Sequence, residues 1–257
     1  MNDDRLYFGQ LPILPPLAIL TMNWTTPLRP NAERAKAATT LIWIVLAAQG
    51  FNIVSSVLQY DLLQDIEAGV MVDDATITFN DLREVVLGLL NTALYIISMV
   101  MFIRWFRRAY FNLHLRAKGL RHTEGWAAGG WFVPVLSLFY PYQIMRDLFD
   151  RMRHLITAAG VQPATPASVA LLGWWWAIWI ISGLVGQAAL RISLSAETLP
   201  ELQGATLLDI VLGFVEIPLA LLAVQVVRSC SKLEEQLAAL PTAIDAGETP
   251  VSGAQPS

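Results

Sequence analysis

Four stretches of this chain run apolar without the polar interruptions of a water-exposed helix. They cover about residues 37–58, 85–103, 170–190 and 207–227. The first passes through Leu41-Ile42-Trp43-Ile44-Val45-Leu46, and the third through Trp174-Trp175-Trp176-Ala177-Ile178-Trp179. A helix on a soluble domain carries a polar stripe on every turn. A helix rising 1.5 Å per residue needs about 20 residues to cross a hydrocarbon core of about 30 Å. The pattern therefore predicts an all-α integral membrane fold, a four-span helical bundle.

A fifth apolar block, Trp126 to Met145, carries no charged residue. Gly129, Gly130, Pro134 and Pro141 break it, because a proline removes a backbone donor and clashes with the preceding helical turn. The segment 125–145 is thus predicted to be re-entrant or interfacial rather than a fifth crossing.

Charge orients the spans. Arg29, Arg34 and Lys36 precede the first, whereas the loop after it carries Asp61, Asp65, Glu67, Asp73, Asp74, Asp81 and Glu84 against Arg83. Arg104, Arg107, Arg108, Arg116, Lys118 and Arg121 follow the second span. Cytoplasmic loops carry the excess of Lys and Arg, so the N-terminus is expected inside and the acidic loop outside. If the broken block returns to its own side, Arg146, Arg151, Arg153, Arg228 and Lys232 also lie inside, and the C-terminus is cytoplasmic. The implied organisation is a cytoplasmic arm at 1–34, a membrane domain at 35–235 and a disordered tail at 236–257.

Composition agrees with this reading. Hydrophobic residues make up 55% of the chain and charged ones 15%, against about 25% charged in a soluble domain; mean hydropathy is +0.50. The net charge of −4 hides the segregation of signs along the chain. The one cysteine, Cys230, excludes an intrachain disulfide and a cysteine-based metal site. The acidic start Met1-Asn2-Asp3-Asp4 is unlike a secretory signal.

Arg104, Arg108 and Asn112 follow one another at i, i+4 and i+8, so the second span is expected to continue as a helix with a basic face. Arg146 and Asp150, Asp147 and Arg151, and Asp150 and His154 suit an amphipathic helix laced with exposed ion pairs. Arg104, Arg107, Arg108, Arg116, Arg121, Arg146 and Arg151 would then form a basic cytoplasmic surface. Its simplest role is to anchor topology; its functional role would be to attract anionic lipid headgroups or an acidic partner. Trp105, Trp126 and Trp174 to Trp176 fall at the predicted boundaries, where indole rings settle at headgroup level, and are expected to form an anchoring belt.

Three motifs stand in the middle of the chain. They are Arg108-Ala109-Tyr110-Phe111-Asn112-Leu113, then Gly125-Trp126-Ala127-Ala128-Gly129-Gly130-Trp131-Phe132-Val133-Pro134, then Pro141-Tyr142-Gln143-Ile144-Met145-Arg146-Asp147-Leu148. Here the chain resembles a family of uncharacterised bacterial multi-pass membrane proteins known as a domain of unknown function. The resemblance extends over roughly 35–235, with Ser137 departing from an expected Asn and Phe149 from an expected Trp. It implies a bacterial cytoplasmic membrane location and brings no activity, substrate or catalytic residue. It marks Asn112, Gly125, Trp126, Gly129, Gly130, Trp131, Pro134, Pro141 and Tyr142 as motif positions.

No metalloprotease, nucleophile-elbow, phosphate-loop or dinucleotide motif is present. His114, His122 and His154 lack carboxylates at metal-ligand spacing, so neither a metal nor another cofactor is expected, nor a nucleic-acid partner. Glu216 stands out because a carboxylate at mid-bilayer costs about 2.5–3.5 kcal/mol on insertion scales. Nearby Pro218 also frees the Phe214 carbonyl. The candidate partners on other spans are Gln49, Asn52, Asn91 and Gln187. A hydrogen bond of that kind holds a bundle together with about 0.6 kcal/mol; alternatively Glu216 lines a polar path. Two functions follow: a non-enzymatic scaffold, sensor or accessory subunit with the basic surface, or a small transporter or channel near Glu216. The expected partners are the bilayer and either a second copy or another membrane protein.

Overall fold

The computed structural model describes residues 26–164 and 169–240. The helices are α1 (Ala32–Glu67), α2 (Asp74–Arg116), α3 (Trp126–Gly129), α4 (Tyr140–Ala158), α5 (Val169–Ser195) and α6 (Leu199–Ala239). A 3₁₀ turn, Leu136–Leu138, separates α3 from α4, and there is no strand among the described residues. α1, α2, α5 and α6 contain the four apolar stretches and are long and apolar enough to cross a membrane. They run up and down as a bundle in which α6 packs on α1 and α5, and α1 also packs on α2. The α1–α2 turn is closed by Gly69 at φ 79°, a left-handed conformation that glycine adopts without a Cβ penalty. Asp73 then caps α2 by accepting from the Thr76 N–H at 2.6 Å, and the hydrogen bonds of the Thr76 hydroxyl and N–H hold its carboxyl below the ordinary range.

Two helices overrun the bilayer. α2 has 43 residues and α6 has 41, giving each a length of about 60 Å or more, twice the hydrocarbon core. Beyond their apolar stretches, at the end rich in arginine, α4 lies against both of them. Trp105, Phe106, Tyr110 and Leu113 of α2, Ile144, Met145, Leu148, Met152 and Ile156 of α4, and Leu233 and Leu237 of α6 are all fully buried there. α4 shows why. Its buried residues recur three and four apart, while Arg146 and Asp150 pair at 3.5 Å on the opposite face. Burying each large side chain contributes about 1.5–3 kcal/mol. This headpiece holds most of the large, fully buried side chains among the described residues.

The block 125–145 is broken as its prolines and glycines require. α3 lasts four residues, Val135 turns the chain at φ 68°, and Pro141 occupies the first turn of α4, where its missing N–H has no helical partner to lose. A Cβ at Gly130 would stand 2.8 Å from the Trp126 carbonyl oxygen and 3.1 Å from the Tyr140 Cβ, so this turn closes only around a glycine.

Three expectations need correction. The tail was placed from residue 236, yet α6 continues to Ala239 and buries Leu237 and Leu240; Leu233, Leu237 and Leu240 make one apolar stripe that needs the headpiece. At the other terminus, α1 starts at Ala32 inside the proposed arm, with Leu28 and Asn31 packed into the bundle. The remaining arm, 1–25, and tail, 241–257, lie outside the described residues. The tryptophan belt is also revised. Trp105, Trp175 and Trp176 are 0%, 4% and 6% exposed, whereas Trp174 is 67% exposed. The buried rings pack on one another instead of facing outward. Trp131 sits 5.5–6.3 Å from Phe102, Phe106, Trp176 and Trp179, and Trp176 stacks on Trp179 at 4.7 Å.

Candidate functional site

Glu216 lies near the middle of the apolar part of α6, which stays helical through Pro218. It lines a partly open cavity of about 250 Å³ between α1, α2, α5 and α6, with Trp131 of the broken segment in its wall. The polar groups that share this cavity are Tyr95 and Ser98 of α2 and Ser182 of α5; its walls include Phe102, Trp131, Trp175 and Trp179. Tyr95, Ser98, Met99 and Phe102 fall three, four and seven apart, so one face of α2 supplies them.

The polar residues first proposed as partners of Glu216 lie elsewhere. Asn91 Nδ2 donates to Gln49 Oε1 at 3.2 Å, joining α2 to α1. Gln49 also abuts α6, where a Cβ at Gly213 would come within 2.9 Å of its Nε2. Asn52 donates to the Ala48 carbonyl of its own helix at 3.1 Å, and Gln187 is exposed on α5. None of these four lines the cavity.

A second polar centre lies in the headpiece. Glu234, two turns beyond the apolar stretch of α6, is buried. Asn31 Nδ2 donates to its Oε2 at 2.9 Å, and Asn112 Nδ2 donates to its Oε1. Asn112 also accepts from the Arg29 N–H at 3.0 Å and donates to the Arg29 carbonyl at 2.9 Å. One motif asparagine thus ties the start of α1, the end of α2 and the end of α6. Burial pushes the Glu234 carboxyl above the ordinary range, opposed by the two amide donors. One turn earlier, burial likewise raises the thiol of Cys230. Nothing in the sequence flagged Glu234, which looks like any charge in the solvated run Lys232-Leu233-Glu234-Glu235.

The other motif residues pack around the broken segment. Trp126 packs edge-on against Tyr140 at 5.1 Å, and Tyr142 stacks on Trp176. Trp176 Nε1 donates to the Leu138 carbonyl at 3.1 Å. Tyr110 donates to the His122 carbonyl at 3.0 Å, and burial pushes its hydroxyl up to about 12. Gly125 and Pro134 are exposed, and Gly129 meets the Trp126 ring.

The arginines divide. Arg104, Arg107, Arg121 and Arg146 are exposed, and Arg108 and Arg151 are half-buried. Arg107 pairs with Glu124 at 3.0 Å, and Arg108 lies over the Phe111 ring. Arg116 does not belong to the surface on which it was placed. It is buried, and its Nη1 donates to the Thr26 carbonyl at 2.7 Å, because the chain before α1 folds back over the end of α2.

Four apolar crossing helices, a broken segment and a packed headpiece define a multi-pass α-helical membrane protein. The chain belongs to the family DUF4328, described as a domain of unknown function, which matches residues 68–232. The matched part includes Asn112, the Gly-Trp block and Glu216, but stops short of Glu234. No curated protein and no solved structure matches the chain.

Proposed function

We propose that this protein is a non-enzymatic scaffold, sensor or accessory subunit of a bacterial cytoplasmic membrane, with both termini inside and its headpiece held against anionic lipid headgroups. The observation that supports this reading is the meeting of exposed arginines with exposed apolar side chains at one level of the molecule. Phe132, Val135 and Phe139 stand exposed on the broken segment. That segment is fastened to the Arg107 helix by the Glu124 ion pair and by Trp131 against Phe106. Apolar side chains that dip beneath the headgroups, beside cations at headgroup level, form an interfacial anchor. Each basic residue near an anionic surface contributes about 1 kcal/mol.

The test is lipid selectivity of the reconstituted protein, read with spin-labelled phosphatidylglycerol against phosphatidylcholine. Changing Arg104, Arg121 and Arg146 together to Gln should reduce the preference for the anionic lipid several-fold. An unchanged preference in a normally folded variant would leave these arginines as topology anchors and overturn the reading.

A further inference from the structure

We infer that the cavity beside Glu216 is a binding site for a lipophilic organic cation, an ammonium carried on an aromatic or branched apolar body, that enters from the bilayer. This goes beyond the headgroup-facing role proposed for the headpiece and rests on Glu216 and its cavity rather than on the arginines. Among the described residues, Glu216 is the one acidic residue lining the cavity, and no Arg, Lys or His lines it. A carboxylate at mid-bilayer must be neutralised by a partner or by a proton. Here the space left open beside it would admit one.

The walls select the partner. Tyr95, Phe102, Trp131, Trp175 and Trp179 present aromatic rings to the cavity, and such rings attract a desolvated cation through their quadrupoles. Ser182 lines the same space, and its hydroxyl is buried without a hydrogen-bond partner. An inorganic cation is a poor match. Calcium takes six or more oxygen ligands and magnesium a near-ideal octahedron, whereas the cavity offers one carboxylate and three hydroxyls in an otherwise aromatic and aliphatic wall. An anion would face Glu216 without a compensating charge.

The route is set by packing. Towards the basic end, Trp131 is wedged among Phe102, Phe106, Trp176 and Trp179, which closes the cavity on that side. α5 packs on α6 and α4 and meets α2 through side chains such as Phe102 and Trp175, whose rings lie 5.8 Å apart, so the entry lies between these side chains on the lipid side of the bundle. A ligand arriving there must first partition into the bilayer, and its apolar body meets that need. At about 250 Å³ the cavity holds a single ring with a small substituted ammonium rather than a lipid tail.

The experiment compares benzyltrimethylammonium with its neutral isostere neopentylbenzene, both radiolabelled, binding to the full chain in nanodiscs after subtraction of empty discs. The wild type should bind the cation saturably. Glu216→Gln should weaken the cation about tenfold or more while changing the neutral isostere less than about twofold, with an unchanged melting temperature. Gly183 lines the cavity, and a Cβ there meets open space. Gly183→Leu should therefore abolish binding of both probes while leaving Glu216 in place. Equal cation affinity in the wild type and Glu216→Gln, wild-type affinity in Gly183→Leu, or no saturable cation binding by the folded wild type would each overturn the proposal.

Discussion

The two halves of this molecule use the same apolar residues under different rules. In the headpiece, α2, α4 and α6 bury Trp105, Leu148 and Leu233 completely. In the spans, 6–22% of the most apolar window of each helix is buried in the protein, and Phe51, Leu89, Leu184 and Phe214 face outward. Water drives apolar side chains together, so the headpiece must close a core. Lipid tails solvate leucine as well as another leucine does, so the spans are held by a few polar clasps and by close approach at Gly213. Burial therefore reports stability in one half and almost nothing in the other.

The widest gap should appear when equivalent leucines are truncated in the two halves. Leu148→Ala removes a fully buried side chain from the headpiece and is expected to cost about 2–5 kcal/mol. Leu89→Ala, on the lipid-facing side of α2, should cost less than about 1 kcal/mol. Thermal denaturation of both variants in one detergent checks this, and equal losses would erase the distinction between the halves.

Polar clasps sharpen the comparison at a smaller scale. Asn112→Ala would leave Glu234 buried with one donor fewer and free the Arg29 backbone, a loss of about 1–3 kcal/mol. Gln49→Ala breaks the Asn91 clasp within the bilayer, where such bonds average about 0.6 kcal/mol. The same denaturation series reads both, and a larger loss at Gln49 would reverse the order.

The smallest effect is a pH dependence. Burial raises the Glu234 carboxyl above the ordinary glutamate value of 4.5, so the folded state binds its proton more tightly than the unfolded chain does. Stability from this group is therefore full below about 4.5 and declines as the pH rises through the folded value. Between those limits the wild type should lose melting temperature relative to Glu234→Gln, which cannot titrate. A constant difference across that window would show that the carboxyl titrates alike in both states.

Much of the fold was legible in the chain, and some of the sites were not. Pro134, Pro141, Gly129 and Gly130 correctly signalled a broken segment because each acts on its own backbone. The four-residue spacing of Arg146 with Asp150, Asp147 with Arg151 and Asp150 with His154 likewise announced an amphipathic α4. Trp105 and Trp176 were misread as boundary anchors because an indole at a span end looks the same whether it meets headgroups or other rings. Arg116 was misread because nothing near it in sequence shows the chain at Thr26 folding back over it. Glu216 was conspicuous, but its neighbours were not. Tyr95, Ser98 and Ser182 are ordinary residues in apolar helices until packing sets them around one cavity.

The sequence by itself determined that four helices cross a membrane, where the charge-rich end lies and where the chain breaks. Transfer into lipid depends on about 20 consecutive residues, and the basic bias depends on the loops beside them. Tertiary structure alone decided which polar groups are buried together. Asn112 meets Glu234 across 122 residues and Arg29 across 83, and Asn31 reaches Glu234 across 203. Bonds of that span have no local signature, because each side chain would be equally at home in water until three distant helix ends close around it.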